Sequence, residues 1–226
     1  MLCGSTTCAC SFQSDSLIIS GSGASGDPLV LETYDAVVAD ESDITSPFLG
    51  QRIYETTTDR LKYYDGSDWV IYGGLWPAVN IARRSPDVAI PIGNATTENV
   101  TMPSEIEDTD GFHASNNNFI TIPTGLGGEF IVAFGFRYDS NATGYRMGQL
   151  AVGTNTPVTP AEVTPLMVGG YQAIATVNNG YSASKRMRLA AAATLTFTTF
   201  QTSGGNLDLN TAYLTATMVR HEPALA

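Results

Sequence analysis

The chain has 226 residues, is 43% hydrophobic and 15% charged, and sets 22 acidic against 11 basic side chains for a formal net charge of −11. Its length suits one medium domain with an appendage and excludes two large enzyme domains. The charge opposes a nucleic-acid partner, because no basic stripe is available to neutralise phosphates. The longest strongly apolar run, Leu189 to Leu195, falls far short of the roughly 20 residues that a membrane-spanning helix needs, so no membrane insertion is expected.

The first sixteen residues, MLCGSTTCACSFQSDS, lack the basic start and apolar run of a secretory signal, so the chain is expected to begin as the mature protein. Cys3, Cys8 and Cys10 are its only cysteines, and no disulfide can staple the main body. Their spacing departs from the Cys-x-x-Cys knuckles of structural zinc sites. They read as a terminal anchor that packs or pairs locally, with thiols pooled around a threefold axis or crosslinking neighbouring chains as the alternatives. No cofactor is expected. Residues 1–28 are polar and rich in Gly and Ser, and cannot order themselves by burial. Two brief strands, Ser16 to Ser20 and Pro28 to Leu31, are the exceptions expected within an extended anchoring arm of residues 1–49.

From Gly50 to Gly74, runs rich in β-branched and aromatic residues (Arg52 to Thr56, Arg60 to Tyr64, Trp69 to Tyr72) are divided by Thr-Thr-Asp and Asp-Gly-Ser-Asp turns. They predict a three-stranded meander, a small module spanning residues 50–78. Tyr54, Tyr64 and Trp69 are expected to gather on one face or dock on a neighbouring subunit.

From residue 79 onward ten short runs read as strands: Val79 to Ala82, Val88 to Ile92, Asn99 to Met102, Phe119 to Pro123, Glu129 to Tyr138, Tyr145 to Val152, Tyr171 to Val177, Arg186 to Leu189, Thr194 to Gln201 and Tyr213 to Val219. No dozen residues sustain a helical period, and Gly, Pro and Asn turns punctuate the runs. The pattern predicts an all-β sandwich or jelly roll over residues 79–226. Between Glu129 and Tyr138 the even positions are large, which assigns Phe130, Val132, Phe134 and Phe136 to the core together with Phe119, Ile122, Leu150 and Phe197. The odd positions Ile131, Ala133 and Gly135 are uncharged and mostly small, and the closing strand offers Tyr213, Thr215 and Thr217. Such a face suits close approach by another copy, so these six residues are the candidate oligomer interface.

Chemistry is sparse. His113 and His221 are the only histidines and neither neighbours a nucleophile; no Gly-x-Ser-x-Gly elbow, His-Glu-x-x-His motif or phosphate-cradling glycine loop is present, and the chain is expected not to be an enzyme. Glu105, Glu107, Asp108 and Asp110 lie in MPSEIEDTDG and read as solvated loop acids, with weak calcium binding or a carboxylate pair for glycoside hydrolysis as the alternatives. Lys185, Arg186 and Arg188 read as a strand end that forms salt bridges.

The order Phe119-Ile-Thr-Ile-Pro, Gly127-Gly-Glu-Phe-Ile-Val, Gly144-Tyr-Arg-Met and Phe200-Gln-Thr-Ser-Gly-Gly resembles the complement globular head and tumour necrosis factor superfamily over roughly residues 79–220. The resemblance implies a ten-stranded jelly roll that trimerises; Ala190 to Thr194 depart from the Gly-Asp pair usual before the penultimate strand. GQRIYETTTDRLKYYDGSDWV looks like a module of tailed-phage tail proteins, and the Cys-rich start followed by SGSGASGDPLVLE resembles the beginning of actinobacteriophage minor tail proteins. Together they imply a homotrimeric virion protein, anchored to other tail or capsid proteins by its arm. The expected role is a minor tail protein at the tail tip or baseplate, aiding host adsorption by binding a cell-surface glycan. A head fibre or capsid decoration trimer and a tail-associated glycan-cleaving enzyme are the alternatives.

Overall fold

The computed structural model describes residues 17–20, 30–33, 36–84, 89–115, 117–154, 167–172 and 180–223. Cys3, Cys8 and Cys10 lie outside the described residues. The chain divides into two compact units, Met1–Leu75 and Trp76–Ala226.

In the first unit, β1 (Leu17–Ser20) pairs antiparallel with β2 (Val30–Thr33). A separate sheet is built from β3 (Ala36–Val38), β4 (Arg52–Glu55), β5 (Arg60–Tyr64) and β6 (Trp69–Gly74). The last three form the antiparallel meander expected from the sequence, and β3 adds a fourth strand parallel to β4. A short 3-10 turn at Glu41–Asp43 follows β3, started by a capping box in which the Asp40 carboxylate accepts from Ser42 N at 2.8 Å. The Asp65 carboxylate accepts from Ser67 N at 2.9 Å and Asp68 N at 2.8 Å, which closes the β5–β6 turn. Hydrogen bonds to the charged form hold both acids below the ordinary carboxylate value, from the Ser42 side chain and then its N–H at Asp40, and from the Asp68 and Ser67 N–H groups at Asp65. Tyr64 and Trp69 pack with ring centroids 5.4 Å apart, while the Tyr54 hydroxyl donates to the Asp59 carboxylate.

The strands of the second unit are β7 (Ala78–Arg83), β8 (Ile90–Ile92), β9 (Thr96–Asn99), β10 (Ser104–Asp108), β11 (Phe119–Thr121), β12 (Gly128–Tyr138), β13 (Tyr145–Thr154), β14 (Met167–Gln172), β15 (Gly180–Leu189), β16 (Ala193–Gln201) and β17 (Leu207–His221). One sheet runs β10-β7-β17-β12-β15, with β8 also on β17; the other runs β11-β16-β13-β14, with β9 also on β16. From β14 onward every successive strand lies in the opposite sheet, and β11, β12 and β13 alternate likewise. This order makes the unit a jelly-roll sandwich.

Its described residues form eleven strands rather than ten, because Ser104–Asp108, expected as a loop, pairs with β7. Three acids among its five residues hide the strand from pattern reading; its side chains are edge-exposed or half-buried, and a bulge at Ile106 interrupts the alternation. A second correction concerns Asn99 to Met102. Val100 and Met102 are buried, but the ladder ends at Asn99, and Val100 N and Met102 N donate to Phe197 O and Asn117 O. Apolar alternation there reported burial rather than strand.

On β12 the even positions Phe130, Val132, Phe134, Phe136 and Tyr138 are all buried, joined by Ile122, Leu150 and Phe197. Phe134 and Phe197 pack with centroids 5.2 Å apart, their rings inclined at 33°. Gly148 on β13 lets the sheets approach: a Cβ there would stand 2.5 Å from the Phe136 ring. Phe119, assigned to the core from sequence, is only half-buried; Ile120 and Ile122 fill the interior, so alternation turns Phe119 to the other face of its sheet, opposite Thr196.

Candidate functional site

Register, rather than sequence distance, assembles the candidate interface. Gly135 lies opposite Tyr213, Ala133 opposite Thr215 and Ile131 opposite Thr217, so three adjacent rungs of β12 and β17 present all six residues on one face. Asn80 and Ala82 continue two of those rungs onto β7, and Ser184 and Ser182 continue two onto β15. Ile131 is 47% exposed and Tyr213 37%, Thr217 is exposed, and Ala133 and Thr215 are half-buried. Gly135, expected on the small-residue face, is covered within its own chain. The Tyr213 ring lies across it so closely that a Cβ would stand 2.3 Å from the ring edge, so glycine is what allows the tyrosine to lie flat.

A hollow of about 370 Å³ opens on the same face, lined by Asn80, Ala82, Ile106, Tyr213 and Thr215, with Arg83 and Arg84 contributing to its wall. Ile106 is 46% exposed. Sequence reading passed over it because acids flank it on both sides. Charged residues flank the central rungs, and on the β15 side Arg186 opposes Ile131 and pairs with Glu129, while Arg188 pairs with Glu222. The Arg186 hydrogen bond holds the Glu129 carboxyl below the ordinary carboxylate value. Salt bridges on this strand were expected; the structure supplies their partners.

The acids of MPSEIEDTDG do structural work. The Asp108 carboxylate accepts from the backbone N–H groups of Gly111, Phe112 and His113 at 2.9 Å each and of Asp110 at 3.3 Å, organising the bend after β10. His113 is buried, its Nδ1 3.4 Å from Glu105 and its Nε2 3.4 Å from Asn117 O. His221, at the end of β17, places Nε2 2.7 Å from Gly125 O. The two histidines thus serve different loops. Among the described residues no group of three or more His, Cys, Asp or Glu is placed to hold a metal ion.

Arg146 on β13 is the largest fully buried side chain among the described residues. It donates to Thr143 O and Tyr145 O at 3.0 Å and lies 5.8 Å from the centroid of Tyr138, whose hydroxyl sits 2.7 Å from Thr199 Oγ1. Burial lowers the Arg146 pKa and raises those of Tyr138 and Tyr171. The motif Gly144-Tyr-Arg-Met drew attention to this arginine only as a feature of the resemblance; its burial is a property of the tertiary structure.

The strand order and the two sheets define the class: an all-β protein whose second unit is a jelly-roll sandwich. No protein-family description matches the chain, and no curated protein matches it. Among solved structures it is similar to the globular domain of zebrafish complement 1qA protein, at 12% identity and a TM-score of 0.48 over 65% of this chain and 99% of that one. It is also similar to PRD1 vertex protein P5 (13% identity, TM-score 0.48, 65% and 99%) and to Eiger TNF from S. frugiperda (11%, 0.46, 65% and 95%).

Proposed function

We propose that this chain is a homotrimeric virion protein of a tailed phage: a minor tail protein at the tail tip or baseplate that aids host adsorption by binding a cell-surface glycan, without catalysis. The observation that carries the oligomer is the β12–β17 face, where exposed Ile131 and Tyr213 flank small and half-buried residues with no charge on the central rungs. Covering such a face removes apolar area from water at about 25 cal/mol per Å² and desolvates no charge at its centre. The resemblance of the sequence to trimeric jelly rolls selects three copies. The resemblance of residues 50–70 to tail modules, and of the start to minor tail proteins, supports a virion location. In this reading residues 1–49 anchor the particle, residues 50–78 form a collar and residues 79–226 project. Three weak sites on one axis then gain roughly 10²–10⁴ in avidity when they engage together.

Ala133→Arg places a long cation on the central rung and is expected to convert trimers to monomers in analytical ultracentrifugation. A trimer unchanged by it would sink the assignment of this face. Location is tested by immunogold labelling of intact virions with antibodies against residues 79–226. Label at the tail tip supports adsorption, label on the capsid replaces it with the decoration reading, and absence of label from every particle overturns the virion assignment.

A further inference from the structure

We infer that the open face of the β4–β5–β6 meander is a saccharide site that takes a neutral pyranose ring against the exposed surface of the Tyr63–Tyr72 pair. Strand alternation creates it. Ile53, Lys62 and Ile71 turn to the buried side, so Arg52 on β4, Tyr63 on β5 and Tyr72 on β6 turn to the other. Arg52 lies directly opposite Tyr63, and the bulge between Leu61 and Lys62 offsets β6 beside them. The two tyrosine rings have centroids 6.1 Å apart and are inclined at 58°, and the residues are 37% and 41% exposed. With Arg52 and Gly50 they line a notch of about 380 Å³, within the roughly 300–1,000 Å³ of small-molecule sites.

The chemistry of the walls selects the occupant. Two tyrosine faces offer flat apolar surface ending in hydroxyls, which suits a ring with an apolar C–H face and polar edges. Arg52 brings a guanidinium with five N–H donors, enough to serve ring hydroxyls alongside other acceptors. A polyanionic ligand is disfavoured by the formal net charge of −11, which leaves a neutral sugar as the matching class. The strands hold both rings in place before any ligand arrives, and the backbone bond from Gly50 N to Tyr64 O at 2.8 Å ties the rim to β5. This inference deepens the adsorption reading and takes from it only the cell-surface origin of the sugar.

The test titrates the full chain with neutral trisaccharides of glucose, galactose and mannose, read by saturation-transfer NMR. At least one is expected to bind, with transfer strongest at ring C–H protons, and Tyr63→Ala/Tyr72→Ala is expected to weaken it at least about tenfold. Arg52→Gln, with the tyrosines intact, is expected to weaken it about threefold. Circular dichroism and thermal melting check that the variants remain folded. Absence of transfer from all three sugars at about 10 mM, or binding indifferent to both variants, would overturn the site. A tyrosine variant that changes the oligomeric state while no sugar binds would assign the notch to self-association and likewise overturn it. Immunogold location and virion adsorption are read independently, so loss of this site leaves the tail-protein reading standing, and the reverse holds.

Discussion

The two units keep different interiors. The jelly roll buries a continuous set of aromatic and aliphatic side chains in which Phe134 touches Phe197 and Tyr181, whereas the small sheet buries Ile53 and Ile71 beside Glu55, Arg60 and Lys62. Lys62 Nζ lies 2.7 Å from Glu41 and 2.9 Å from Glu55; Glu55 also accepts from Glu41 N and from the Thr58 hydroxyl. Short strands cannot supply enough apolar area for a core of their own, and the polar network instead fixes which strands pair and where the 3-10 turn sits. The sandwich rests chiefly on apolar burial, although it too encloses a charge, that of Arg146. The jelly roll is therefore organised mainly by apolar volume, and the small sheet by a few apolar side chains together with a buried ion pair.

That contrast can be broken from either side. Phe134→Ala, which empties the centre of the aromatic stack, is expected to destabilise the jelly roll by about 3–5 kcal/mol; denaturant unfolding followed by near-UV dichroism measures it, and a loss below about 1 kcal/mol would contradict the packing described. Lys62→Met leaves Glu55 buried without its cation and is expected to cost the small unit about 3–5 kcal/mol. Hydrogen exchange should then show faster opening of β4–β6 with β12 and β17 unchanged. Unchanged protection of β4–β6 would show that the ion pair is dispensable. Gly135→Ala forces the Tyr213 ring off the sheet and is expected to cost about 1–3 kcal/mol, with a matching loss of trimer at low concentration.

The smallest effects lie in pH. Asp40, Asp65 and Glu129 have carboxyls held below their ordinary values of 3.8 and 4.5. Their stabilisation is complete above those values and is lost as pH falls through the lower folded-state pKa, so both units should weaken in acid. Tyr138 and Tyr171 have pKa values raised by burial from an ordinary 10.0. Their contribution is complete below pH 10 and is lost as pH rises beyond it, so alkali should strike the jelly roll first. Thermal melts of the full chain across pH 3 to 11 separate the two limbs, and Tyr138→Phe should flatten the alkaline one.

The residue pattern alone determined the all-β class, the turn-divided meander, most strands of the sandwich and the aromatic face of β12. These are legible because a period of two needs only neighbours along one strand. Tertiary structure decided the rest. Ser104–Asp108 became a strand because β7 was there to pair with it, and Phe119 turned from the core because Ile120 and Ile122 occupied it. The rungs Gly135–Tyr213 and Ala133–Thr215 exist only through a register between segments some eighty residues apart. The notch beside the Tyr63–Tyr72 pair adjoins a bulge that no local pattern announces. Sequence writes the alternation of each strand; which strands meet, and in what register, is settled by three-dimensional packing, where distant residues compete for the same buried volume.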